Sequence, residues 1–342
     1  MSLFDRMASL PLAIEGYSHE PHEQVNPGGF RRLTTVIRLE GGGSVGRGED
    51  VSYSKRDQER LRTAGPTLAL TGEFTLASFS KYLDSLELWP DQPEHAMNVD
   101  YRRWGYESAA LELAVAQAKR PLAELLGRDQ RAARFVVSTV LGTPPSTRRL
   151  LELLEFEPRL RFKLDADKGW DARLIAELAE LGRVEVVDFK GAYAGTSVDQ
   201  VLDTELYRRV LSGLPDVWLE DPHREPAAFE LLEGFWERVT WDAPIHSVDD
   251  VRALEHEPRM LNIKPSRCGT LAKYFDLVDY CESHEIAMYA GGQFELADGR
   301  RLIQRLAGIF HPDAPNDIAP VEFNRVELNR PVDDGNLSYP GA

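Results

Sequence analysis

From about Arg134 onward the chain repeats one pattern: a short apolar run, a charged tip, then an amphipathic stretch, at an interval of roughly two to three dozen residues. The clearest runs are Phe135 to Val140, Leu160 to Leu164, Val184 to Val187, Val217 to Leu219, Val239 to Trp241, Leu261 to Ile263 and Ile286 to Tyr289. They predict seven strands. Between them lie Leu174, Leu178 and Leu181, or Leu202, Leu206, Val210 and Leu214, spaced to put apolar side chains on one helical stripe. Each crossover has room for a helix, so the strands would run parallel. Such βα units build either an open doubly wound sheet or a closed (β/α)₈ barrel, and periodicity alone does not choose between them. No G-x-G-x-x-G follows the first run, which counts against a dinucleotide-binding sheet.

The first hundred residues lack this rhythm. A hairpin-like stretch runs from Arg31 to Val51 across Gly41, Gly42 and Gly43, followed by helical sequence around Thr75 to Leu88. A polar, proline-bearing segment, Asp91 to Tyr101, then precedes an alanine-rich helix expected over Tyr106 to Leu126 and stopped by Gly127. This reads as a separate α+β domain over 1–127, a barrel-type domain over 128–319, and a tail over 320–342 that returns across the surface.

Charge and cysteine content narrow the partners. With 40 basic and 56 acidic residues the net charge is −16, which repels phosphate backbones and anionic lipid, so no nucleic-acid or membrane partner is expected. No apolar run approaches the roughly 18 residues of a membrane span. The opening stretch carries Asp5 and Arg6 among its apolar residues, unlike a secretory leader. Cys268 and Cys281 are the two cysteines, expected as buried thiols in a reducing cytoplasm.

Chemistry concentrates at the strand tips: Lys163 and Asp165, Asp188 and Lys190, Glu220 and Asp221, Asp242, and Lys264. In α/β barrels such positions converge on the face that holds catalytic groups. Asp188, Glu220 and Asp242 come from successive units, and hard oxygen donors from three directions with open positions suit Mg²⁺. No Cys/His cluster offers a zinc alternative. A single acidic residue at a strand end is more often a helix cap or a solvated group; several in register are not so easily explained. Asp221, out of phase and before Pro222, is expected as a loop or supporting group.

The order Asp188, Glu220 in Trp-Leu-Glu-Asp-Pro, Asp242 in Thr-Trp-Asp-Ala-Pro-Ile and Lys264 in Asn-Ile-Lys-Pro-Ser-Arg-Cys-Gly-Thr resembles the enolase superfamily, in its muconate lactonizing enzyme and o-succinylbenzoate synthase-like branch, within the mandelate racemase/muconate lactonizing enzyme group. Gly46-Arg47-Gly48-Glu49 looks like the end of a strand in that family's capping domain. Gly291-Gly292-Gln293-Phe294-Glu295 resembles its seventh-strand segment. The resemblance spans nearly the whole chain. It implies an α+β capping domain, completed by the tail 320–342, over a (β/α)7–8 TIM-type barrel. It also implies a cytoplasmic homo-oligomer, and Mg²⁺ on Asp188, Glu220 and Asp242 binding the carboxylate of a small acid. Lys264 would then take the proton from the neighbouring carbon, the metal stabilising the ene-diolate.

Two positions depart from the branch. Where it usually shows Lys-x-Lys on the second strand, this chain has Lys163-Leu164-Asp165; where relatives carry Asp-x-Asn on the third, it has Asp188-Phe189-Lys190. Alternate strand residues share a face, so Asp165 and Lys190 would meet at the mouth, with Lys190 either the acid or base opposite Lys264 or part of an organising salt bridge. The segment Gly16 to Phe30, with Tyr17, His19, His22, Gly28 and Gly29, is expected as a loop over the mouth that selects substrate. Gln293 and Glu295 are further candidate substrate contacts. One working lysine favours a lyase, of dehydratase or cycloisomerase/synthase type. A racemase or epimerase is the alternative, and a catalytically silent metal-binding barrel is a third reading.

Overall fold

The computed structural model describes residues 2–25, 29–193, 200–325, 327–328, 330–331 and 335–339. The N-terminal part comprises β1 (Pro11–Ile14), β2 (Gly16–Val25), β3 (Arg31–Gly41), β4 (Ser44–Asp50), α1 (Lys55–Ala64), β5 (Gly72–Thr75), α2 (Leu76–Leu83), α3 (Asn98–Ala118) and α4 (Leu122–Leu126). Antiparallel β2-β3-β4 forms its main sheet and β1 pairs with β5. This is the capping domain.

Two expectations differ from the structure. Gly16 to Val25 is not a loop but β2, paired with β3 from Gly16↔Glu40 to Val25↔Arg31. Its sequence hides this because it is an edge strand with no deeply buried face, where a residue such as Pro21 is tolerated. Asn26 to Gly28, including the glycine named above, lies outside the described residues. The expected helix over Tyr106 to Leu126 is two helices: it begins at Asn98 and breaks between Lys119, at φ 53°, and Pro121, whose ring removes an N–H donor. The early start was masked by polar residues that pack inward, Arg102 reaching Asp50 at 2.8 Å. Gly127 stops α4 in the left-handed conformation, as expected.

The second part runs β6 (Ala133–Arg134), β7 (Val137–Thr139), α5 (Arg148–Phe156), β8 (Phe162–Asp165), α6 (Ala172–Leu181), β9 (Val184–Asp188), α7 (Thr204–Gly213), β10 (Trp218–Glu220), α8 (Pro226–Leu232), β11 (Val239–Trp241), α9 (Val248–Arg252), β12 (Met260–Ile263), α10 (Pro265–Cys268), α11 (Leu271–Ser283), β13 (Ala287–Ala290) and α12 (Asp298–Phe310). The sheet order β13-β12-β11-β10-β9-β8-β7 follows the chain, and all seven expected strands are present and parallel. Closure comes from an unexpected segment. Asn316 bridges Phe135 on one edge and Asp317 bridges Gly291 on the other, so two residues stand in for an eighth strand. Asn316 also reaches Ala290 N, Arg134 O and His311 through its side chain.

A single hydrophobic cluster runs from Leu12, Ile37 and Phe79 of the cap through Trp104 and Leu111 of α3 to Leu164, Leu219 and Leu261 of the barrel. The cap is thus fixed over one end of the barrel. Arg32 of β3 strengthens this, donating to the carbonyls of Gln293 at 2.8 Å and Phe294 at 3.2 Å after β13, and of Val51 and Ser52 within the cap. The Glu49 carboxylate of β4 accepts from the backbone of Leu296, Ala297 and Gly299 at the start of α12. In the tail, β14 (Leu337–Ser338) pairs in parallel with β6 at the base of the barrel. Tyr339 packs on Phe135, and Arg325 reaches Gln24 of β2 at 3.5 Å. Both cysteines are free and buried, and burial pushes each thiol up to about 12. No described helix is long and apolar enough to cross a membrane.

Candidate active site

The parallel register places Asp165 beside Asp188, and Asp188 beside Glu220, so three adjacent strands end in one row of carboxylates beneath the cap. Asp188 and Glu220 are fully buried. The next residue, Asp221, turns inward at φ 44°, where its carboxylate accepts from Asp242 N at 2.7 Å and Ala243 N at 2.8 Å. Donor oxygens of Asp188, Glu220 and Asp221 lie within 4.8 Å of one another, an arrangement able to hold a metal ion. Asp221, read as a supporting residue, therefore joins the cluster. Asp242, expected as the third donor, lies outside it. Its Oδ2 faces Lys264 Nζ at 2.8 Å, and Arg267 lies 3.1 Å from its Oδ1, close enough to pair but without hydrogen-bond alignment.

Four cations stand among these acids. Lys163 is fully buried and pairs with Glu220, with Asp317 at 3.3 Å and with Asp188 at 3.6 Å. Lys190 Nζ lies 2.5 Å from Asp188 Oδ2 and 3.2 Å from Asp165 Oδ1, so the two residues that depart from the branch pattern do meet. Lys264 and Arg267 share Asp242. Six carboxylates (Asp165, Asp188, Glu220, Asp221, Asp242, Asp317) against these four cations leave two formal negative charges. One divalent cation would offset them, which is how this donor set fits Mg²⁺.

The proton affinities carry the same imbalance. Burial lifts Glu220 to about 8, with Lys163 opposing only in part, and burial with Asp242 and Asp188 lifts Asp221 to about 7. Burial also raises Asp242, but Arg267 and Lys264 outweigh it and hold the carboxyl well below the usual range. Asp188 is likewise held down, Lys190 and Lys163 outweighing its burial. Burial disfavours the Lys190 charge, yet Asp165 and Asp188 more than compensate, and its pKa lies well above the ordinary lysine value. Both carboxylates therefore favour the ammonium form of Lys190.

Around this centre, Tyr289 of β13 donates its hydroxyl to Glu220, and Asn262 of β12 approaches the same carboxylate at 3.4 Å. Gly291 leaves the room that Lys264 occupies: a Cβ there would lie 2.6 Å from Lys264 Cε and 2.3 Å from Asn262 Oδ1. Gln293 and Glu295 are buried after β13, where Glu295 Oε1 accepts from Gln293 N at 2.8 Å, while Gln293 Nε2 and Glu295 Oε2 have no hydrogen-bond partner among the described residues. The N-terminal candidates are less uniform. Tyr17 spends its hydroxyl on Leu68 N at 2.5 Å inside the cap. His19 stands edge-on to Tyr17 at 5.6 Å with both ring nitrogens unpartnered among the described residues, burial lowering its pKa. His22 gives its carbonyl to Arg62 at 2.7 Å.

Sequence reading missed Arg267, Tyr193, Asn262, Tyr289 and Asp317. Arg267 stands three residues after Lys264, a spacing that was available as a signal. Asp317 lies in a segment with no apolar run, so no periodicity pointed to it.

Fold and carboxylate row together define an α/β-barrel protein with a capping domain, the architecture of the enolase superfamily. The chain belongs to the family described as Domain of unknown function (DUF8230), whose N-terminal domain matches residues 5–125 and whose C-terminal domain matches residues 129–325. It is 27% identical to an o-succinylbenzoate synthase of Bacillus subtilis over 63% of this chain, and spans 58% of that relative's length. It is 24% identical to an N-succinylamino acid racemase of Thermus thermophilus over 91% of this chain and 85% of the relative. A dipeptide epimerase of Methylococcus capsulatus, solved with Mg and the dipeptide L-Arg-D-Lys, superimposes with a TM-score of 0.70 at 16% identity, covering 93% of each chain. The resemblance to the enolase superfamily, in its muconate lactonizing enzyme and o-succinylbenzoate synthase-like branch, is thereby borne out.

Proposed function

We propose that this chain is a Mg²⁺-dependent enzyme that removes the proton next to a carboxylate of a small acid, and that it works as a lyase. The observation that carries the proposal is the buried carboxylate cluster, two charges short of neutrality, flanked by Lys190 on one side and Lys264 on the other. Asp188 and Glu220 would hold the metal, with Asp221 or Asp242 as the third donor. When bound, Mg²⁺ supplies the positive charge that offsets the second negative charge developing on a deprotonated carboxylic acid.

The remaining work falls to the chain's own side chains. Lys264 Nζ, at the tip of β12 and 2.8 Å from Asp242 Oδ2, works as the neutral amine: it takes the α-proton, becomes an ammonium ion paired with the Asp242 carboxylate, and gives that proton to solvent as the site resets. Lys190, locked as an ammonium between two carboxylates, is a donor rather than a base, and it assists departure of a leaving group on the opposite side. One base and one donor suit an elimination. Lys163 neutralises Glu220 from beneath, and Asn262 and Tyr289 fix that carboxylate's orientation. His19, Gln293 and Glu295 offer unpartnered polar atoms for the rest of the substrate.

The position of Lys190 across from Lys264 favours a second reading, racemisation or epimerisation with a base on each face, as in the racemase and epimerase relatives named above. Calorimetric titration with Mg²⁺ and proton NMR in D₂O with a panel of succinylated amino acids and succinylbenzoate precursors test both. Micromolar to millimolar Mg²⁺ binding with α-deuterium exchange and product elimination is expected. Binding weakened at least about tenfold in Asp221→Asn but not in Asp242→Asn would identify the third donor. Exchange with inversion and no elimination would replace the lyase by the epimerase. Absence of Mg²⁺ binding would end the proposal, and binding without any exchange would leave a silent metal-binding barrel.

A further inference from the structure

The turn after β9 aims an aromatic side chain across the whole mouth. Lys190 sits at φ 54°, Gly191 N donates to Asp221 O at 2.8 Å, and Tyr193 N donates to Lys190 O at 3.3 Å. No other residue fits at Gly191, because a Cβ would lie 2.3 Å from His223 N and 2.6 Å from His223 Cα. His223 is itself pinned, its ring bonded to Tyr207 Oη at 2.9 Å and to Gln200 O at 2.7 Å. The path of the chain from β9 to Tyr193 is therefore fixed by backbone packing against the strand next door.

That path brings Tyr193 into contact with both flanks of the site. Its ring lies 5.3 Å from Lys190 Nζ, within the range of a cation–π contact. Its hydroxyl donates to Asp242 Oδ2 at 3.2 Å, the oxygen that faces Lys264 Nζ at 2.8 Å. Arg267 Nη2 donates to the Tyr193 hydroxyl at 3.3 Å and comes within 3.4 Å of the same Asp242 oxygen. Ring and hydroxyl thus serve different amines, one on each side of the centre.

We infer that Tyr193 is a positioning residue that sets both lysines, its ring covering Lys190 and its hydroxyl fixing the Asp242 carboxylate that orients Lys264. This rests on the reading of the two lysines as the working groups, and it deepens that reading by assigning one side chain two separable roles. A phenylalanine at this position keeps the first role and loses the second; a leucine loses both. A residue that merely filled space would not split them in this way.

The test compares wild type, Tyr193→Phe and Tyr193→Leu after confirming equal secondary structure by circular dichroism. Brief acetylation with N-hydroxysuccinimide acetate, read by peptide mass spectrometry, needs neither substrate nor metal. Expected is a rise of about fivefold in Lys264 labelling for Tyr193→Phe, the size of one lost hydrogen bond, with Lys190 labelling unchanged. In Tyr193→Leu both lysines should label faster, and should that variant fail to fold, the split in Tyr193→Phe decides alone. Unchanged Lys264 labelling in Tyr193→Phe overturns the inference. A second arm follows α-deuterium exchange of N-succinyl-L- and N-succinyl-D-phenylalanine in D₂O with Mg²⁺. Tyr193→Phe should slow exchange of the enantiomer presented to Lys264, and unchanged exchange of that enantiomer overturns the link between the hydroxyl and Lys264. If wild type exchanges neither enantiomer and binds no Mg²⁺, the functional reading falls, while the labelling still decides whether Tyr193 sets the lysines.

Discussion

On the side of β11 and β12, a lysine stands at the tip of its own strand and faces one carboxylate, which an arginine three residues later also touches. On the side of β8 and β9, the lysine belongs to the neighbouring strand, sits in a left-handed turn and is held between two carboxylates. The difference is one of charge balance. Lys264 shares its acid with a competing cation, whereas two anions hold Lys190 and raise its pKa. A barrel mouth can therefore hold amines on both flanks in different charge environments.

The largest effect that would break this comparison comes from removing each amine in turn. Lys264→Met should lower α-deuterium exchange by about 10²–10⁴-fold, the usual contribution of a general base. Lys190→Met should cost less in exchange and more in product formation. Equal loss of exchange in both variants, measured by NMR at saturating Mg²⁺, would mean that the two flanks are equivalent bases.

A second effect concerns the segment that carries Asp317 to Lys163 on the β8 flank. Burial lowers His311, which binds Asn316 Oδ1 at 2.7 Å, to about 4. The native chain holds this ring neutral, while the unfolded chain takes up a proton at about pH 6.5. Stability should therefore fall as pH drops from about 6.5 to about 4 and change no further through this group below that. Linkage over that interval amounts to about 3 kcal/mol. Urea midpoints across this range should be flatter for His311→Gln than for wild type; parallel curves would remove His311 as the cause.

The smallest effect sharpens the comparison. Asp165→Lys combined with Lys190→Asn places the amine back on β8, the arrangement usual in the branch that the chain resembles. Each single change leaves a charge unpaired, so the double variant should be more stable than the sum of the singles by about 1 kcal/mol. Additive denaturation free energies would show that Asp165 and Lys190 are neighbours without being partners.

Much of the framework was legible because it is local. The seven runs became seven strands, Leu174 and Leu178 face the core from α6, and the tips fell in register because each strand ends at the same height. Less was legible where a residue's role depends on another strand. Asp221 looked out of phase with Glu220, which is true of an ideal strand, but a positive φ turns it back toward the cluster. Asp242 pairs with Lys264 and with Arg267, and although the three-residue spacing of those two cations is visible in the sequence, their sharing of one carboxylate is not. The edge strand β2 reads as a loop in the sequence because hydrogen bonds to β3, rather than apolar alternation, make it a strand.

By itself, then, the chain's order of residues determined the βα units, the separate first domain, the buried thiols and the row of acids at the strand ends, since periodicity and strand geometry act over a few residues. Only the tertiary structure decided how the barrel closes through Asn316 and Asp317, which acids cluster, and which lysine each carboxylate holds. Those outcomes depend on groups far apart in sequence competing for the same few ångströms of buried space, where an uncompensated charge is costly and every partner must be found across strands.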